Sequence, residues 1–361
     1  RRNHTPKMTL PSHIELLRQM ISIPSRSREE GDTAALIHDY LARRGAEPRR
    51  IGNNVMAVSP AYDSSRPTLL LNSHHDTVMP APTYTRDPYS PDIEGDRLYG
   101  LGSNDAGASA VALTETFMRL RDKMSGLNLI LAITAEEEVG GENGMRAFLP
   151  AIAADGLKVD MAIVGEPTGM KPAVAERGLV VLDCVTEGVA GHAARGEGIN
   201  AIYRAMADIE LVRSFSPPLV SDILGPVGVN VTQIEAGRQH NAIPDTCRWV
   251  TDIRTTDAYT NEQIVEMMRS LVSDHTTLTP RSTRVRASVI PLSHPLVVAA
   301  TEYGGQPFVS PTTSDMSLMH HIPSLKIGPG DSARSHSADE YIMLSEIHDA
   351  VEKYIKIITS L

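Results

Sequence analysis

The chain has 361 residues, which is long for a single hydrophobic core and suits two domains. It carries 34 basic and 44 acidic residues, a formal net charge of −10, and only four Phe and one Trp. These numbers argue against nucleic acid as the main partner, because phosphate binding needs clustered basic side chains and base stacking needs aromatic ones.

Membrane and disulfide signals are equally sparse. No apolar stretch reaches the roughly 20 residues that a membrane-spanning helix needs, and none resembles the core of a signal peptide. We therefore expect a cytoplasmic protein without a membrane partner. Only two cysteines are present, Cys184 and Cys247, so the ligands of any bound metal must be His and carboxylate side chains.

The first half of the chain alternates between helical and strand-like patterns. Helical apolar spacing and short apolar runs predict these elements in chain order: helices at 14–22 and 33–44, a strand at 68–72, a helix at 106–120 with Asp105 as its N-cap, and strands at 127–134 and 161–164. This βαβ order predicts an α/β domain with a mostly parallel sheet and helices on both faces.

From residue 178 the order of elements changes. The patterns predict a strand at 179–186, a helix at 200–215, strands at 227–235 and 247–254, a helix at 261–274 and a strand at 284–290. The order β-α-β-β-α-β is that of a ferredoxin-like unit. A helix at 295–304, a strand at 324–327 and a helix at 344–359 follow. We therefore predict a first domain in two segments, 1–177 and 292–361, interrupted by an α+β domain at 178–291.

Side chains that can bind a metal follow each predicted strand of the first domain. They are His74 to Asp76, Glu136 to Glu138, Glu166, and His336 in a later loop, while Asp105 stands at a helix start. Ligands of open α/β sheets bind beyond the carboxyl ends of the strands. Each residue alone is more commonly a surface, turn or capping residue. Together, two His and three carboxylates suit a site for two ions about 3.5–4 Å apart, with one carboxylate bridging them.

Five motifs in this order resemble the metallohydrolase family that contains acetylornithine deacetylase, succinyl-diaminopimelate desuccinylase and aminoacylase. The motifs are HHD at 74–76, GSNDAG at 102–107, TAEEEVGG at 134–141, VGEPT at 164–168 and GPGDSARSHSADEY at 328–341. The resemblance runs from about residue 14 to the end of the chain. It implies a zinc exopeptidase-like catalytic domain and an inserted ferredoxin-like domain that serves dimerisation.

The resemblance also implies a role for each ligand. His74 and Glu166 would hold one zinc ion, Glu138 and His336 the other, and Asp105 would bridge both. Cobalt and manganese accept the same ligands and are possible substitutes. A cis peptide bond is implied after the bridging aspartate.

Two further residues gain roles in the same way. Asp76 would hydrogen-bond the far ring nitrogen of His74 and fix its tautomer, and Glu137 would act as the general base that later delivers a proton to the leaving amine. The second role depends on the register of three consecutive glutamates, in which Glu136 would take no part. His75 departs from relatives that have Thr or Leu there, and we expect it to point away, because neighbours on a strand face opposite sides.

The inserted domain carries weaker matches. GVAGHA at 188–193 resembles a family loop whose histidine enters the neighbouring subunit's active site, which would make His192 an oxyanion donor; the alternative is an ordinary loop histidine. Asn241 and Arg254 match positions linked to substrate binding, although Arg254 could instead form a salt bridge at a strand end. Thr313 and Ser314 resemble a loop near the substrate carboxylate, or form a plain turn.

The resulting expectation is a di-zinc enzyme that removes a short acyl group from an amino acid. N-acetylornithine is the preferred substrate, with N-acetylcitrulline and N-succinyl analogues open. The alternatives are a succinyl-diaminopimelate desuccinylase, a di- or tripeptidase with the same metal chemistry, and a non-enzymatic zinc-binding module. The presence of all five ligands and of Glu137 argues against the last of these. The expected partners are the small substrate and a second copy of the chain, in a homodimer that shares active-site residues.

Overall fold

A computed structural model describes residues 10–361, which form two compact units. The first runs from the start of the described residues to Val174 and includes Ile290–Phe308 and Ser314–Leu361; the second comprises Ala175–Val289 and Val309–Thr313. The sequence-based prediction placed the boundaries after 177 and after 291, and the two units change after Val174 and after Val289. The short segment Val309–Thr313, predicted to belong to the first domain, groups with the second unit instead. Residues 1–9 of the predicted first domain lie outside the described residues.

The α-helices are α1 (Ser12–Ser22), α2 (Gly31–Arg43), α3 (Ala108–Leu120), α4 (Met145–Ala154), α5 (Ala201–Arg213), α6 (Asn261–Leu271), α7 (Pro295–Gly304) and α8 (Leu344–Thr359). Helix α4 was not predicted, because Pro150 interrupts its pattern and a proline inside a helical pattern reads as a break. Within residues 10–361, no helix combines the length and apolar character that crossing a membrane requires.

The strands are β1 (Arg49–Ile51), β2 (Asn54–Val58), β3 (Thr68–His74), β4 (Ile93–Glu94), β5 (Arg97–Tyr99), β6 (Asn128–Thr134), β7 (Met161–Val164), β8 (Ala173–Glu176), β9 (Gly178–Glu187), β10 (Gly191–His192), β11 (Gly228–Ala236), β12 (Ala242–Ile243), β13 (Thr246–Thr255), β14 (Thr276–Pro280), β15 (Ser288–Val289), β16 (Phe308–Ser310), β17 (Ser324–Lys326) and β18 (Tyr341–Met343).

The first unit is built on a sheet with the strand order β1-β2-β6-β3-β7-β17-β8. The central strands β6, β3, β7 and β17 are parallel neighbours, and β2 and β8 flank them in antiparallel pairs. Alternate residues of one strand enter different cores: Leu69 and Leu71 pack with α1, α2, α3 and α8, whereas Leu70 packs with Phe148 of α4. The prediction of an α/β sheet covered by helices on both faces is confirmed.

The start of α3 differs from the sequence-based expectation. The helix begins at Ala108, and Asp105 lies in the preceding turn with non-helical backbone angles and makes no capping hydrogen bond. The prediction that Asp105 is an N-cap was therefore wrong. Its carboxylate faces two imidazoles instead. The peptide bond between Asp105 and Ala106 is cis, as expected.

The second unit contains an antiparallel sheet with the order β11-β13-β9-β14. With α5 after β9 and α6 after β13, this is the ferredoxin-like order that the sequence predicted. Its core contains Trp249, Cys184 and Met268. The predicted last strand at 284–290 was wrong: β14 fills that place, and only Ser288–Val289 of the predicted segment is a strand, paired with β8. Strand β14 was missed because Leu278 is its only large apolar residue and it ends in Pro280, which is tolerated because β14 is an edge strand.

Candidate metal centre

His74 is the last residue of β3, at the carboxyl end of the central parallel strands. Its imidazole is 1% exposed, and Nε2 lies 3.3 Å from Oδ1 of Asp105. The same nitrogen lies 3.6 Å from Oε2 of Glu137 and 3.7 Å from Oε1 of Glu166. Three carboxylates from three different segments thus meet at one ring nitrogen.

Asp105 faces two imidazoles, one with each of its carboxylate oxygens. Oδ1 faces His74, and Oδ2 lies 3.6 Å from Nε2 of His336. The nitrogen of His336 is also 3.1 and 3.0 Å from the two oxygens of Glu138. Two groups of ligand atoms therefore share Asp105, and within each the atoms lie within 4.8 Å of one another: His74, Asp105 and Glu166, and Asp105, Glu138 and His336. A third group, His74, Glu137 and Glu138, meets the same limit.

The electrostatics of this cluster fit divalent cations. Burial raises the pKa of Glu137 well above its usual range, and the charges of Glu166 and Asp315 add to this against the opposing effect of His74. Burial and the charge of Asp105 likewise raise the pKa of Glu166. Burial disfavours a charged His74, yet the surrounding carboxylates outweigh it and raise the pKa of His74. Carboxylates this close together repel one another, and bound cations would relieve that repulsion.

Asp76 contacts both His74 and the backbone of the glutamates at 137 and 138. Nδ1 of His74 lies 3.2 Å from Oδ1 of Asp76 and 3.0 Å from its main-chain oxygen. Because both are acceptors, Nδ1 donates a ring proton to them, and in the neutral ring it is Nε2 that carries the lone pair able to bind a metal. The Asp76 carboxylate also accepts the N–H groups of Glu137 (3.0 Å) and Glu138 (3.1 Å) and the hydroxyl of Ser27 (2.7 Å). Burial opposes its ionisation, but hydrogen bonds from His74 and Ser27 lower the pKa of Asp76 to about 2.

The three consecutive glutamates point in different directions. Glu136 has a left-handed backbone, with φ at 55°, and its carboxylate accepts the side-chain and main-chain N–H groups of Asn143 at 2.9 and 3.2 Å. Glu137 faces His74, and Glu138 faces His336. In this arrangement Glu136 takes no part in the cluster, whereas its two successors do.

His75 is turned away from the centre. It is 4% exposed, its Nδ1 lies 2.8 Å from the hydroxyl of Thr33, and its Nε2 donates to the main-chain oxygen of Asn53 at 2.9 Å. Burial lowers the pKa of His75 to about 4, so the ring is neutral at neutral pH. His75 is therefore a structural histidine behind the centre, as strand alternation predicts.

Glu166 emerges where neighbouring segments approach closely. A Cβ on Gly165 would lie 2.8 Å from side-chain atoms of Leu113 and Ser109, and a Cβ on Gly328 would lie 2.5 Å from the main-chain oxygen of Glu166. Glycine at 165 and 328 lets the loops after β7 and β17 pass beside each other. This close approach fixes the backbone from which the Glu166 side chain extends.

Two buried acids near the centre were missed by the sequence analysis. Glu340 is 3% exposed and accepts the N–H groups of Gly102, Asn104 and Asp105. Burial raises the pKa of Glu340 to about 8, although the three N–H donors favour its charged form. Asp315, also 3% exposed, accepts the hydroxyl of Thr134 at 2.9 Å. The only sequence signal for Glu340 is its position four residues after His336.

His192 and Asn241 lie in a small ribbon of the second unit. Strand β10 pairs with β12, and the N–H of Ala193 donates to the main-chain oxygen of Asn241 at 3.0 Å. Nδ1 of His192 accepts the N–H of Ala194 at 3.2 Å, so the ring proton of the neutral imidazole resides on Nε2. Both side chains are exposed. The structure thus brings these two residues together and leaves His192 with an N–H donor.

The remaining substrate-binding candidates have local partners. The exposed guanidinium of Arg254 binds both carboxylate oxygens of Asp252, at 2.8 and 3.0 Å, which is the strand salt bridge considered as its alternative role. Thr313 is exposed. Ser314 is buried, and its hydroxyl accepts the N–H of Met316 at 3.3 Å at the start of a short 3-10 helix. Their roles toward a substrate stay predictions.

Comparisons with known proteins give the family. Residues 70–360 match peptidase family M20/M25/M40. The chain is 28% identical to a succinyl-diaminopimelate desuccinylase of Dinoroseobacter shibae, over 96% of this chain and 98% of the relative. It is 27% identical to an acetylornithine deacetylase of Edwardsiella ictaluri, over 92% and 93%.

Solved structures share the fold. Aminopeptidase PepT from Bacillus cereus superposes with a TM-score of 0.76 at 18% identity, covering 96% of this chain and 97% of that one. A dinuclear metal binding peptidase of the M20 family from Bacillus subtilis superposes with a TM-score of 0.73 at 16% identity, covering 96% of both. The family match spans most of the sequence and includes every residue of the metal-ligand cluster. The chain therefore belongs to peptidase family M20/M25/M40 and is a metal-dependent hydrolase of linear amides.

Proposed function

We propose that this enzyme removes a short acyl group from the amine of an amino acid, using two zinc ions held by His74, Asp105, Glu138, Glu166 and His336. The observation that carries this proposal is the position of Asp105, whose two oxygens each face a different imidazole. The names of the similar desuccinylase and deacetylase supply the substrate class. Zinc suits the donors because it accepts both imidazole nitrogen and carboxylate oxygen.

The two ions, when bound, would polarise the amide carbonyl and lower the pKa of the attacking water. Glu137 would take the proton of that water on its carboxylate and pass a proton to the departing amine. Its buried position beside His74 and the N–H bond from its own backbone to Asp76 hold it there. Glu138 and Glu166 complete the two ligand groups that share Asp105, and the resemblance of TAEEEVGG at 134–141 to the family motif supports Glu137 as the base.

The identity of the acyl group and of the amino acid that carries it distinguishes the candidate substrates. N-acetylornithine is the substrate favoured by the sequence motifs, whereas the 28% identity to a desuccinylase makes N-succinyl-diaminopimelate a second candidate. Zinc-loaded enzyme should be assayed with both compounds, with N-acetylcitrulline and with a dipeptide panel. Cleavage of dipeptides without release of acetate or succinate would refute the proposed deacylase.

We further propose that the enzyme acts as a homodimer in which His192 of one copy donates to the oxyanion in the other. The second unit exposes large apolar side chains, with Tyr203 71%, Met206 57% and Ile234 57% exposed. The local hydrogen bond of His192 uses Nδ1 as its acceptor, so the N–H at Nε2 can serve as the donor to an oxyanion. Mixing inactive His192→Ala subunits with inactive Glu137→Ala subunits tests this. Activity should return in the mixed dimer, and no recovery would count against shared sites.

The location that we propose is the cytoplasm. Cys184 and Cys247 are free thiols buried in the second unit, and the reducing cytoplasm keeps thiols in that state.

A further inference from the structure

The loop that supplies His336 also supplies Glu340, and the two residues reach the same neighbour. His336 faces the carboxylate of Asp105 with its Nε2, 3.6 Å from Oδ2. Glu340 binds the backbone of the bridging loop, which we define as residues 102–105. One carboxylate oxygen accepts the N–H of Gly102 at 2.9 Å, and the other accepts those of Asn104 at 3.0 Å and Asp105 at 2.8 Å.

The N–H groups of Gly102, Asn104 and Asp105 lie at the start of the turn Ser103–Gly107 that leads into α3. The first N–H groups of a helix lack carbonyl partners and need a side chain from elsewhere, and neither the turn at Ser103–Gly107 nor α3 has a side-chain cap of its own. Glu340 is 3% exposed, so water does not compete for these bonds. A carboxylate from a distant part of the sequence therefore fixes the backbone of Asp105.

A second contact joins the bridging loop to the His336 loop, which we define as residues 328–340. The side-chain amide of Asn104 donates to the main-chain oxygen of Asp331 at 3.0 Å, and its Oδ1 accepts the N–H of Asp331 at 3.0 Å. The bridging loop and the His336 loop are thus held together at two points. Hydrogen bonds between a side chain of one loop and the backbone of the other therefore constrain their separation, and with it the distance between the Asp105 carboxylate and the His336 ring.

We propose that Glu340 is a positioning residue that sets the geometry of Asp105 against His336, and thereby the affinity of the ion held by Asp105, Glu138 and His336. This inference rests on the proposed function, because it assumes that these residues bind a metal. Glu340 belongs to none of the groups of ligand atoms that share Asp105. Groups that orient metal ligands typically change metal affinity about 10- to 100-fold when they are replaced.

The test is metal binding by Glu340→Gln, measured by competition of the metal-free protein with a zinc chelator. The variant keeps the size of the side chain. Its NH₂ group, however, replaces one of the two oxygens and cannot accept a hydrogen bond from the backbone N–H groups that this oxygen binds in the wild type. We expect the affinity of the zinc ion held by Asp105, Glu138 and His336 to fall roughly 10- to 100-fold. The affinity of the ion held by His74, Asp105 and Glu166 should fall less, because Glu340 anchors only Asp105 among those three ligands. Turnover at saturating zinc should recover much of the activity, with KM for substrate unchanged.

Asp339→Asn provides a matched control. Asp339 is the adjacent carboxylate and also accepts backbone N–H groups, those of Thr85 at 2.9 Å and Arg86 at 3.0 Å, but that segment carries no metal ligand. Both zinc affinities should match wild type in this variant. Unfolding temperatures of the metal-free variants report the purely structural cost. If Glu340→Gln does not fold, Glu340→Asp, which keeps the carboxyl group on a shorter side chain, carries the same test.

Unchanged affinities in Glu340→Gln would overturn the inference, and so would an equal loss of both affinities, which indicates a general structural defect. Wild-type protein that binds fewer than two ions would overturn both this inference and the proposed di-zinc centre. Wild-type protein that binds two ions but cleaves no acylated amino acid would refute the proposed function alone, while a selective loss in Glu340→Gln would still support the role of Glu340.

Discussion

Replacing Asp76 with asparagine keeps the shape of the side chain and removes its charge. The carboxylate is fully buried and accepts bonds from His74, Ser27 and the N–H groups of Glu137 and Glu138. In Asp76→Asn, one of the two acceptor positions becomes an NH₂ group. The Ser27 hydroxyl can turn to accept from that group, but a backbone N–H cannot, so one buried donor loses its acceptor.

The magnitude follows from the pKa of Asp76, which hydrogen bonding lowers from 3.8 to about 2 in the folded protein. Each pKa unit corresponds to ~1.4 kcal/mol, so the ionised carboxylate stabilises the fold by roughly 2 kcal/mol at neutral pH. Because the folded pKa lies below the unfolded one, this stabilisation is fully present above about pH 4 and is lost as the pH falls toward 2. A buried backbone N–H without an acceptor costs ~1–3 kcal/mol, a range that includes the roughly 2 kcal/mol obtained from the pKa of Asp76.

The assay is urea unfolding of chelator-treated protein at a series of pH values from 7 downward. Asp76→Asn should be less stable than wild type by roughly 2–3 kcal/mol at pH 7, and the difference should shrink below pH 4. Asp349→Asn, at an exposed helix ion pair, is the control and should change stability by less than about 0.5 kcal/mol. Equal stability of Asp76→Asn and wild type at pH 7, or a difference that does not change with pH, would refute this reasoning.

Three further predictions concern the same region. Glu137→Gln should retain both ions by elemental analysis and lose at least ~100-fold in turnover; normal turnover would exclude Glu137 as the base. The pKa of His75 is about 4 in the folded protein, compared with 6.5 ordinarily. As the pH falls, the unfolded chain therefore takes up this proton before the folded protein does, and the free energy of unfolding should decrease by roughly 3 kcal/mol between pH 6.5 and 4. In urea unfolding, His75→Gln should lack that part of the pH dependence, and a slope equal to wild type would contradict it. Zinc at 100 times its Kd should raise the free energy of unfolding of metal-free protein by ~3 kcal/mol per site, and an unchanged unfolding temperature would argue against metal binding at the cluster.

The parts of the fold that could be predicted are those whose pattern is local. Strands β3, β6 and β7 are buried on both faces, so each reads as a continuous apolar run. Because parallel strands end at one edge of a sheet, the amino-acid sequence alone was enough to place the residues after each run together. Strand β14 lacks such a run. It is a strand because it pairs with β9, a contact that its composition does not reveal.

The parts that could not be predicted depend on contacts between distant segments. Asp105 follows the local rule for an N-cap, but the donors of its turn are satisfied by Glu340, 235 residues later in the chain. The register of Glu136, Glu137 and Glu138 came from family resemblance alone. In the structure that register depends on the left-handed backbone of Glu136 and on the two N–H bonds to Asp76, neither of which a run of three glutamates reveals.

Two buried carboxylates that are not metal ligands therefore organise the two sides of the centre. Asp76 orients His74 and holds the backbone of Glu137 and Glu138, whereas Glu340 holds the backbone of Asp105. Both use backbone N–H groups, whose positions change only if the chain itself moves, rather than flexible side chains. Without such anchoring the mutual repulsion of the clustered carboxylates would push them apart. The ligands thus stay close together because their backbones are fixed, which keeps the cluster ready to bind two cations.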